Sequence, residues 1–252
     1  MELSGKEQVA RSKVCLPLDG LNSLEEIEDR VAELAPYVGL FKIGKESYTR
    51  FGPAAVELVQ KHGSEVFLDL KYHDIPNTVQ GAAAAATELG VFMFNIHASG
   101  GLAMMEAAVE GAKRASESTG KPVPKITAVT VLTSIDQEIL NDELNIAGSV
   151  EHQVLHLAQL AQKANLDGIV CSAADLHAIR DSLPEGFMFV TPGIKGPNTQ
   201  AGADQKRVFT PGNAIEDGSS ILVIGRAITG HATAEQRIAA AKDVLKDMAE
   251  RL

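Results

Sequence analysis

Short runs of apolar and β-branched residues alternate along the chain with longer segments whose apolar positions recur every three or four residues. The short runs predict eight strands, at residues 14–19, 38–44, 65–71, 91–97, 125–133, 168–172, 187–192 and 220–225. The longer segments, such as NSLEEIEDRVAELAPY and, between the second and third strands, ESYTRFGPAAVELVQKHG, predict amphipathic or Ala-rich helices bounded by Asn, Pro or Gly. The pattern therefore predicts an α/β protein in which strand and helix alternate to the C-terminus.

Eight strand–helix units within 252 residues match the size of a (β/α)8 barrel, also called a TIM barrel. No Pro/Ser-rich linker interrupts the alternation, so we expect a single barrel domain over residues 13–252, preceded by a polar N-terminal extension at residues 1–12. The alternative is a doubly wound open sheet. That fold would carry a Gly-rich turn after the first strand, where this chain has LPLDGLNSLEE.

Two connections are longer than a simple strand-to-helix loop. The stretch TSIDQEILNDELNIAGSVEHQ follows the fifth strand and predicts a short extra helix. The Gly/Pro/Asn-rich stretch GIKGPNTQAGADQKR follows the seventh strand. Long loops in compact domains are commonly functional, so we expect the second stretch to act as a lid.

Composition narrows the classes of partner. The chain has 33 acidic and 23 basic residues, a net charge of −10, which disfavours binding to nucleic acid or to an anionic membrane. An anionic ligand must therefore be held by local positive charge.

Cys15 and Cys171 lie in apolar runs and predict buried thiols, and the polar N-terminus lacks a signal peptide. These features predict a cytoplasmic protein.

Polar residues are concentrated where the predicted strands end, which is where barrel enzymes carry their chemistry. The strand ends carry Asp19, Lys42, Asp69 with Lys71, Asn95 with His97, Thr133, Ser172, Thr191 and Arg226. This distribution favours an active site at the carboxyl ends of the strands.

The third strand, within EVFLDLKYHDIPNT, carries the most informative cluster. Because side chains alternate along a strand, Asp69 and Lys71 share one face, and Asp74 follows three residues later. Neighbouring carboxylates favour the ammonium form of a lysine, so Lys71 is predicted to be a positioned acid. The alternative interpretation is a salt bridge that only closes the end of the barrel.

A candidate phosphate site follows the eighth strand in SSILVIGRAITG. Gly225 would permit a close backbone approach, and Arg226 would offer a planar fork for a phosphate at a helix start. Phosphate sites in these barrels commonly use the loops after strands seven and eight. The pattern predicts a small phosphorylated substrate, although Arg226 alone could also be a surface residue.

The run FLDLKYHDIPNTV, with LPLD, FKIG, AVTVLTS, VTPGI, DQKR and VIGRAIT in the same order, resembles the bacterial orotidine 5′-phosphate decarboxylase family over about residues 13–245. The resemblance implies a barrel enzyme that converts orotidine 5′-phosphate into UMP and CO2, the last step of de novo pyrimidine biosynthesis. It further implies that no metal or organic cofactor takes part.

The resemblance also implies a role for each matching residue. Lys71 would protonate C6 of the pyrimidine while Asp69 holds Lys71 beside the departing carboxylate, and Lys42 and Asp19 would bind the ribose. A homodimer is implied, in which Asp74 and Thr78 reach the neighbouring subunit's site. Three further substrate contacts are implied: Ile75, Thr133 at the pyrimidine ring, and Gln205 from the lid. Near the phosphate, the implied contacts are Gly225, Arg226 and Lys195. Lys195 occupies a position where many relatives have arginine.

Two other functions are compatible with parts of the pattern. A magnesium-dependent 3-keto-gulonate 6-phosphate decarboxylase or hexulose-phosphate synthase uses a similar strand. Such an enzyme needs an additional acidic metal ligand, which could be Glu46 or Glu65 in this chain. The Ile75-Pro76 sequence after the last aspartate argues against this alternative. A non-catalytic nucleotide-binding barrel would not need Lys71 and both aspartates. His152 and His156 have metal-pair spacing but lack a third ligand, so we predict a helix-surface pair.

Overall fold

The computed structural model describes residues 3–197 and 209–252. Each predicted strand run matches one strand, although the third strand extends one residue past its run to Tyr72, so the prediction of eight strands is confirmed. The strands are β1 (Val14–Pro17), β2 (Leu40–Gly44), β3 (Glu65–Tyr72), β4 (Met93–His97), β5 (Lys125–Val129), β6 (Gly168–Val170), β7 (Met188–Pro192) and β8 (Ile221–Val223).

The strands follow one another in chain order in a closed barrel, and β8 pairs with β1. The pairing is parallel: Asn95 of β4 lies opposite Thr127 of β5, which in turn lies opposite Gly168 of β6. The prediction of a (β/α)8 barrel is therefore confirmed. The alternative of a doubly wound sheet is wrong because the first and last strands pair with each other and leave no open edge.

Helices separate the strands. They are α1 (Gly5–Ser12), α2 (Leu24–Leu34), α3 (Lys45–Phe51), α4 (Pro53–Lys61), α5 (Pro76–Leu89), α6 (Leu102–Thr119), α7 (Val150–Lys163), α8 (Ala173–Ile179), α9 (Pro211–Glu216), α10 (Arg226–Thr229) and α11 (Ala234–Ala249). The extra helix predicted after β5 is present as a short π-helical segment, Ile139–Glu143. Within residues 3–197 and 209–252, no helix is both long and apolar enough to span a membrane.

Local sequence explains where the helices begin and break. Ser23, Ser149 and Thr233 each precede a helix and accept a hydrogen bond from the backbone N–H three residues later, which satisfies a donor that the helix leaves unpaired. The segment predicted as one helical stretch between β2 and β3 is two helices. Gly52 breaks it with a φ of 58°, and Pro53 starts α4, where its missing N–H costs nothing.

The chain is organised as two compact units, one comprising Met1–Phe67 with Thr191–Leu252 and the other comprising Leu68–Val190. In the first unit α11 packs against α1 and α9, so part of the predicted N-terminal extension is a packed helix. In the second unit α5 packs along α6. A Cβ atom at Gly111 would clash there with the Gln80 carbonyl, so glycine permits this close approach.

The strands supply most of the core. In β4, Met93, Phe94 and Ile96 are all fully buried, as expected for a parallel strand covered on both faces. The exceptions in this apolar interior include Lys42, Asp69 and Asn95, which are also buried. Burying a charge or an amide is costly unless it is paired, so each of these side chains is expected to have a polar partner.

Candidate active site

The end of β3 carries an ion pair. Asp69 is 8% exposed, and its Oδ1 lies 2.5 Å from Nζ of Lys71. The apolar residues that precede the pair, Phe67 and Leu68, lie in the core and fix the strand. The structure thus brings together the two residues that strand alternation placed on one face.

Asn95 of β4 completes this group, although it was predicted only as one of the polar strand-end residues, without a specific role. Its side chain is 1% exposed. Its Nδ2 donates to Asp69 Oδ1 at 2.7 Å, and its Oδ1 accepts from the backbone N–H of Lys71 at 2.8 Å. An amide inside the otherwise apolar run MFNIH was the available signal, but its partners lie on another strand.

Lys71 has an unusual backbone. Its φ is 52°, in the left-handed region that residues with a Cβ atom rarely occupy. A conformation of this kind costs on the order of 1–3 kcal/mol and is frequent where a side chain must be aimed for function. The hydrogen bond from the Lys71 N–H to Asn95 helps to hold it in this conformation.

A second ion pair lies in the first unit. Nζ of Lys42 donates to both carboxylate oxygens of Asp19, at 3.2 and 3.0 Å. The Lys42 side chain is only 10% exposed, so this charge depends on its partners. A Cβ atom at Gly44 would lie 2.8 Å from both Asp19 Oδ1 and Lys42 Nζ, so the glycine of the FKIG motif makes room for the pair.

The same unit contains a cleft of about 740 Å³, a volume typical of small-molecule sites. It brings together five of the predicted site residues, Asp19, Lys42, Lys195, Gly225 and Arg226. The remaining lining comprises Pro17, Pro192, Gly193, Ile194, Gly196, Val223, Ala227 and Thr229. Its cations can attract an anionic ligand despite the negative charge of the whole chain.

Arg226 is the residue in this cleft best suited to bind phosphate. It is exposed, and among the described residues its guanidinium makes no ion pair, so the planar fork is available. The helix that it starts, α10, has only four residues, so Arg226 itself supplies most of the positive charge. Gly225 permits close packing, because a Cβ atom there would lie 3.1 Å from Pro17.

The segment after β3 is exposed. Asp74, Ile75 and Thr78 all face solvent, and Ile75 is 66% exposed. Among the described residues, the Asp74 carboxylate accepts one hydrogen bond, from the Ile75 N–H at 2.7 Å. The described chain therefore leaves Asp74 and Thr78 available to a partner.

Two other residues, Thr133 and Gln205, were also predicted to contact the substrate. The fifth strand was predicted to continue to Thr133, but β5 ends at Val129 and Thr133 lies in an exposed turn. Thr130, the residue after the strand, still contacts β6, because its hydroxyl and its backbone N–H both donate to the Val170 carbonyl, at 3.1 and 3.2 Å. Gln205 lies outside the described residues.

Other reactive side chains are placed as predicted. Cys15 and Cys171 are buried, and burial raises the pKa of the Cys171 thiol, so it stays protonated. His152 and His156 are exposed on α7. Among residues 3–197 and 209–252, no three His, Cys, Asp or Glu side chains form a group that could hold a metal ion.

Comparison with known proteins identifies the barrel family. The model of the family described as "Orotidine 5'-phosphate decarboxylase / HUMPS family" matches residues 12–242. The chain belongs to this family. The resemblance inferred from FLDLKYHDIPNTV and its companion motifs is therefore confirmed.

Individual family members are similar over nearly their whole length. The "Orotidine 5'-phosphate decarboxylase" of Syntrophus aciditrophicus is 48% identical over 99% of this chain and 97% of its own. The enzyme of the same name from Moorella thermoacetica is 46% identical over 95% of this chain and 93% of its own chain. The crystal structure of the enzyme of the same name from Lactobacillus acidophilus has a TM-score of 0.80, at 35% identity over 93% of this chain and 98% of its own.

Proposed function

We propose that this protein decarboxylates orotidine 5′-phosphate to UMP and CO2 in the last step of de novo pyrimidine biosynthesis. The observation that carries the proposal is the Asp69–Lys71 pair, held at 2.5 Å by residues of the family's own motif. Relatives of that name at 46–48% identity over nearly the whole chain support the same activity.

The chemistry requires a proton donor and fixed charge. As the bond between C6 and the carboxylate breaks, its electron pair stays on C6 and CO2 departs. The Lys71 ammonium delivers a proton to C6, and water later reprotonates the neutral amine. The ring offers no electron sink for this carbanion, so preorganised charge beside C6 is the means of stabilising it.

Asp69 has two roles in this proposal. It holds the Lys71 ammonium in place, and it lies against the carboxylate that will leave. Holding a proton donor within reach of its target atom removes much of the entropic cost of the transfer. Because Asp69 is buried, its charge acts with little screening by water.

The cleft of the first unit supplies the binding energy. We assign the phosphate to Arg226, with Gly225 and Lys195 beside it, and the ribose hydroxyls to Lys42 and Asp19. Binding at a phosphate far from the reacting bond can be used to assemble the catalytic groups. Gln205 and lid closure stay predictions, as does a contact between Thr133 and the pyrimidine.

The reaction is proposed to need no metal. Glu65, one candidate metal ligand, opens β3 and is six residues from Lys71, about 20 Å along the strand. Glu46, the other, accepts a hydrogen bond from the Gly20 N–H at 3.3 Å and pairs with Arg50 at 3.6 Å. Glu46 is thus already engaged by other groups, and Glu65 lies at the opposite end of its strand from Lys71, which supports a reaction without a metal.

We further propose a cytoplasmic homodimer in which Asp74, Ile75 and Thr78 serve the neighbouring subunit's site. The exposure of this segment supports the proposal, because an isoleucine that is 66% exposed beside polar residues is typical of an interface. The buried thiols Cys15 and Cys171 suit a reducing compartment.

A spectrophotometric assay of orotidine 5′-phosphate consumption tests the function. We expect turnover that is unchanged by EDTA, and a loss of about a hundredfold to ten-thousandfold in kcat for Lys71→Ala, since a general acid contributes a factor of that size. The variant should still bind UMP, because its phosphate contacts are intact. Loss of activity in EDTA would support the metal-dependent alternative, and near-normal turnover by Lys71→Ala would rule out this lysine as the proton donor.

A further inference from the structure

Asn95 contacts both members of the catalytic pair without being placed to react itself. We propose that Asn95 is a positioning residue, whose amide fixes the Asp69 carboxylate and the Lys71 backbone together so that the Lys71 ammonium is aimed at the reacting carbon. The inference rests on the proposed decarboxylation.

The orientation of the Asn95 amide is determined by its partners. The Lys71 backbone N–H can only donate, and the ionised Asp69 carboxylate can only accept. The amide oxygen must therefore face Lys71, at 2.8 Å, and the amide nitrogen must face Asp69, at 2.7 Å. An aspartate or a leucine of similar size could not make both bonds.

The Asn95 side chain is also held rigidly. It is 1% exposed, and its neighbours along β4, Phe94 and Ile96, are fully buried. A buried amide with donor and acceptor both engaged has no alternative partner in water. Asn95 can therefore transmit the geometry of β4 to the end of β3.

The left-handed backbone of Lys71 is what makes this contact important. Lys71 has a φ of 52°, and extended backbone is the ordinary conformation at a strand end. Removing the Asn95 acceptor would favour the extended conformation and turn the Lys71 side chain away from its present direction. A displacement of about 1 Å in a catalytic group can cost about a hundredfold in rate.

The first test is Asn95→Ala. We expect kcat to fall about a hundredfold, while the dissociation constant of UMP changes less than about threefold, because the phosphate and ribose contacts are on other residues. A fall in UMP affinity that matches the fall in kcat would show that Asn95 only supports the fold, and would overturn the proposal.

Asn95→Asp is a nearly isosteric second test. Its carboxylate keeps the acceptor for Lys71 but cannot donate to Asp69 and adds a like charge beside it. The titratable groups near this position in the described second unit are Asp69, Lys71 and, on the same strand, His97. Activity relative to the unmodified enzyme should rise as the pH falls, because a protonated carboxyl can donate again. A ratio independent of pH would contradict the proposal even if Asn95→Ala does not fold.

Thr127 provides the matched control. It lies opposite Asn95 on β5, is fully buried, and among the described residues its hydroxyl has no hydrogen-bond partner. Thr127→Val should leave kcat and its pH dependence unchanged. If the unmodified protein does not turn over orotidine 5′-phosphate, the proposed function fails; if it does and Asn95→Ala matches it, only the role of Asn95 fails.

Discussion

Gly44 has no side chain, and this leaves room for the ion pair between Asp19 and Lys42. It ends β2, and its position leaves no room for a methyl group between the Asp19 carboxylate and the Lys42 ammonium. Its φ of −87° is open to any residue, so the requirement for glycine comes from space and not from backbone strain. The FKIG motif thus encodes the geometry of an ion pair.

We predict that Gly44→Ala raises KM for orotidine 5′-phosphate about tenfold and lowers kcat less, because the added methyl separates Asp19 from Lys42 and disturbs the proposed ribose site. Steady-state kinetics measure both constants. Gly5→Ala is the control, since a Cβ atom at Gly5 meets nothing within 4 Å. Equal KM values for the two variants would show that the pair adjusts to the methyl group at no cost.

Side-chain alternation was sufficient to place Asp69 and Lys71 together, because both belong to one strand and period two is a property of the strand itself. Asn95 was not predictable in the same way. Its proposed function depends on hydrogen bonds to another strand and on the left-handed φ of Lys71, and a single sequence encodes neither directly. Local pattern therefore identified the residues that we propose to be reactive but missed the residue that we propose orients them.

Helices α2 and α11 are joined by a nearly buried ion pair. Arg237 binds Glu33 with two nitrogens, at 2.8 and 2.6 Å, and the two side chains are only 14% and 12% exposed. Arg237 also donates to the carbonyls of His231 and Ala232, both at 3.1 Å. The hydrogen bonds to Glu33 raise the pKa of Arg237, so it stays charged at any pH that the fold tolerates.

We predict that Arg237→Ala lowers the free energy of unfolding by about 3 kcal/mol, because it leaves the Glu33 carboxylate nearly buried and unpaired. Urea denaturation measures this change. Arg251→Ala is the matched control, since the Arg251–Glu216 pair has a similar 2.8 Å separation but side chains that are 46% and 59% exposed. It should cost less than about 1 kcal/mol. Equal losses in the two variants would contradict the importance of burial.

Element boundaries followed from the sequence where a local signal existed. The eight strands were predicted because buried parallel strands are continuous apolar runs. The end of β5 was misjudged by four residues, because AVTVLTS remains β-prone beyond Val129 and carries no Gly or Pro that would mark the end of the strand. The Gly52-Pro53 pair is a helix-breaking signal in the sequence. One helix was nevertheless predicted there, because the residues on both sides have helical periodicity.

At the scale of the whole molecule, net charge and local charge oppose each other. The net charge of −10 repels an anionic substrate at long range, but salt screens that repulsion over about 8 Å under physiological conditions. The cleft itself is lined by three cations, Lys42, Lys195 and Arg226, whose attraction on a bound anion would act at contact distance. The acidity of the chain therefore disfavours extended polyanions but leaves a small phosphate ester able to bind.

We predict that mixing inactive Lys71→Ala and Asp74→Ala subunits restores activity to about one quarter of the sites, because half of the randomly formed dimers are hybrids with one intact site. Turnover after subunit exchange measures the recovery. Lys71→Ala mixed with Asp69→Ala is the control, since both changes fall in a subunit's own site and no hybrid site is intact. Exchange without recovery in the first mixture would count against the shared site.

The discontinuous first unit has a consequence for synthesis on the ribosome. Leu68–Val190 form a unit from one continuous stretch, but β1 must wait for β8, since Val14 pairs with Leu222. At about 5–20 residues per second, the first strand emerges about 10–40 seconds before its last partner exists. The free edge of nascent β1 therefore needs protection during translation until β8 has emerged.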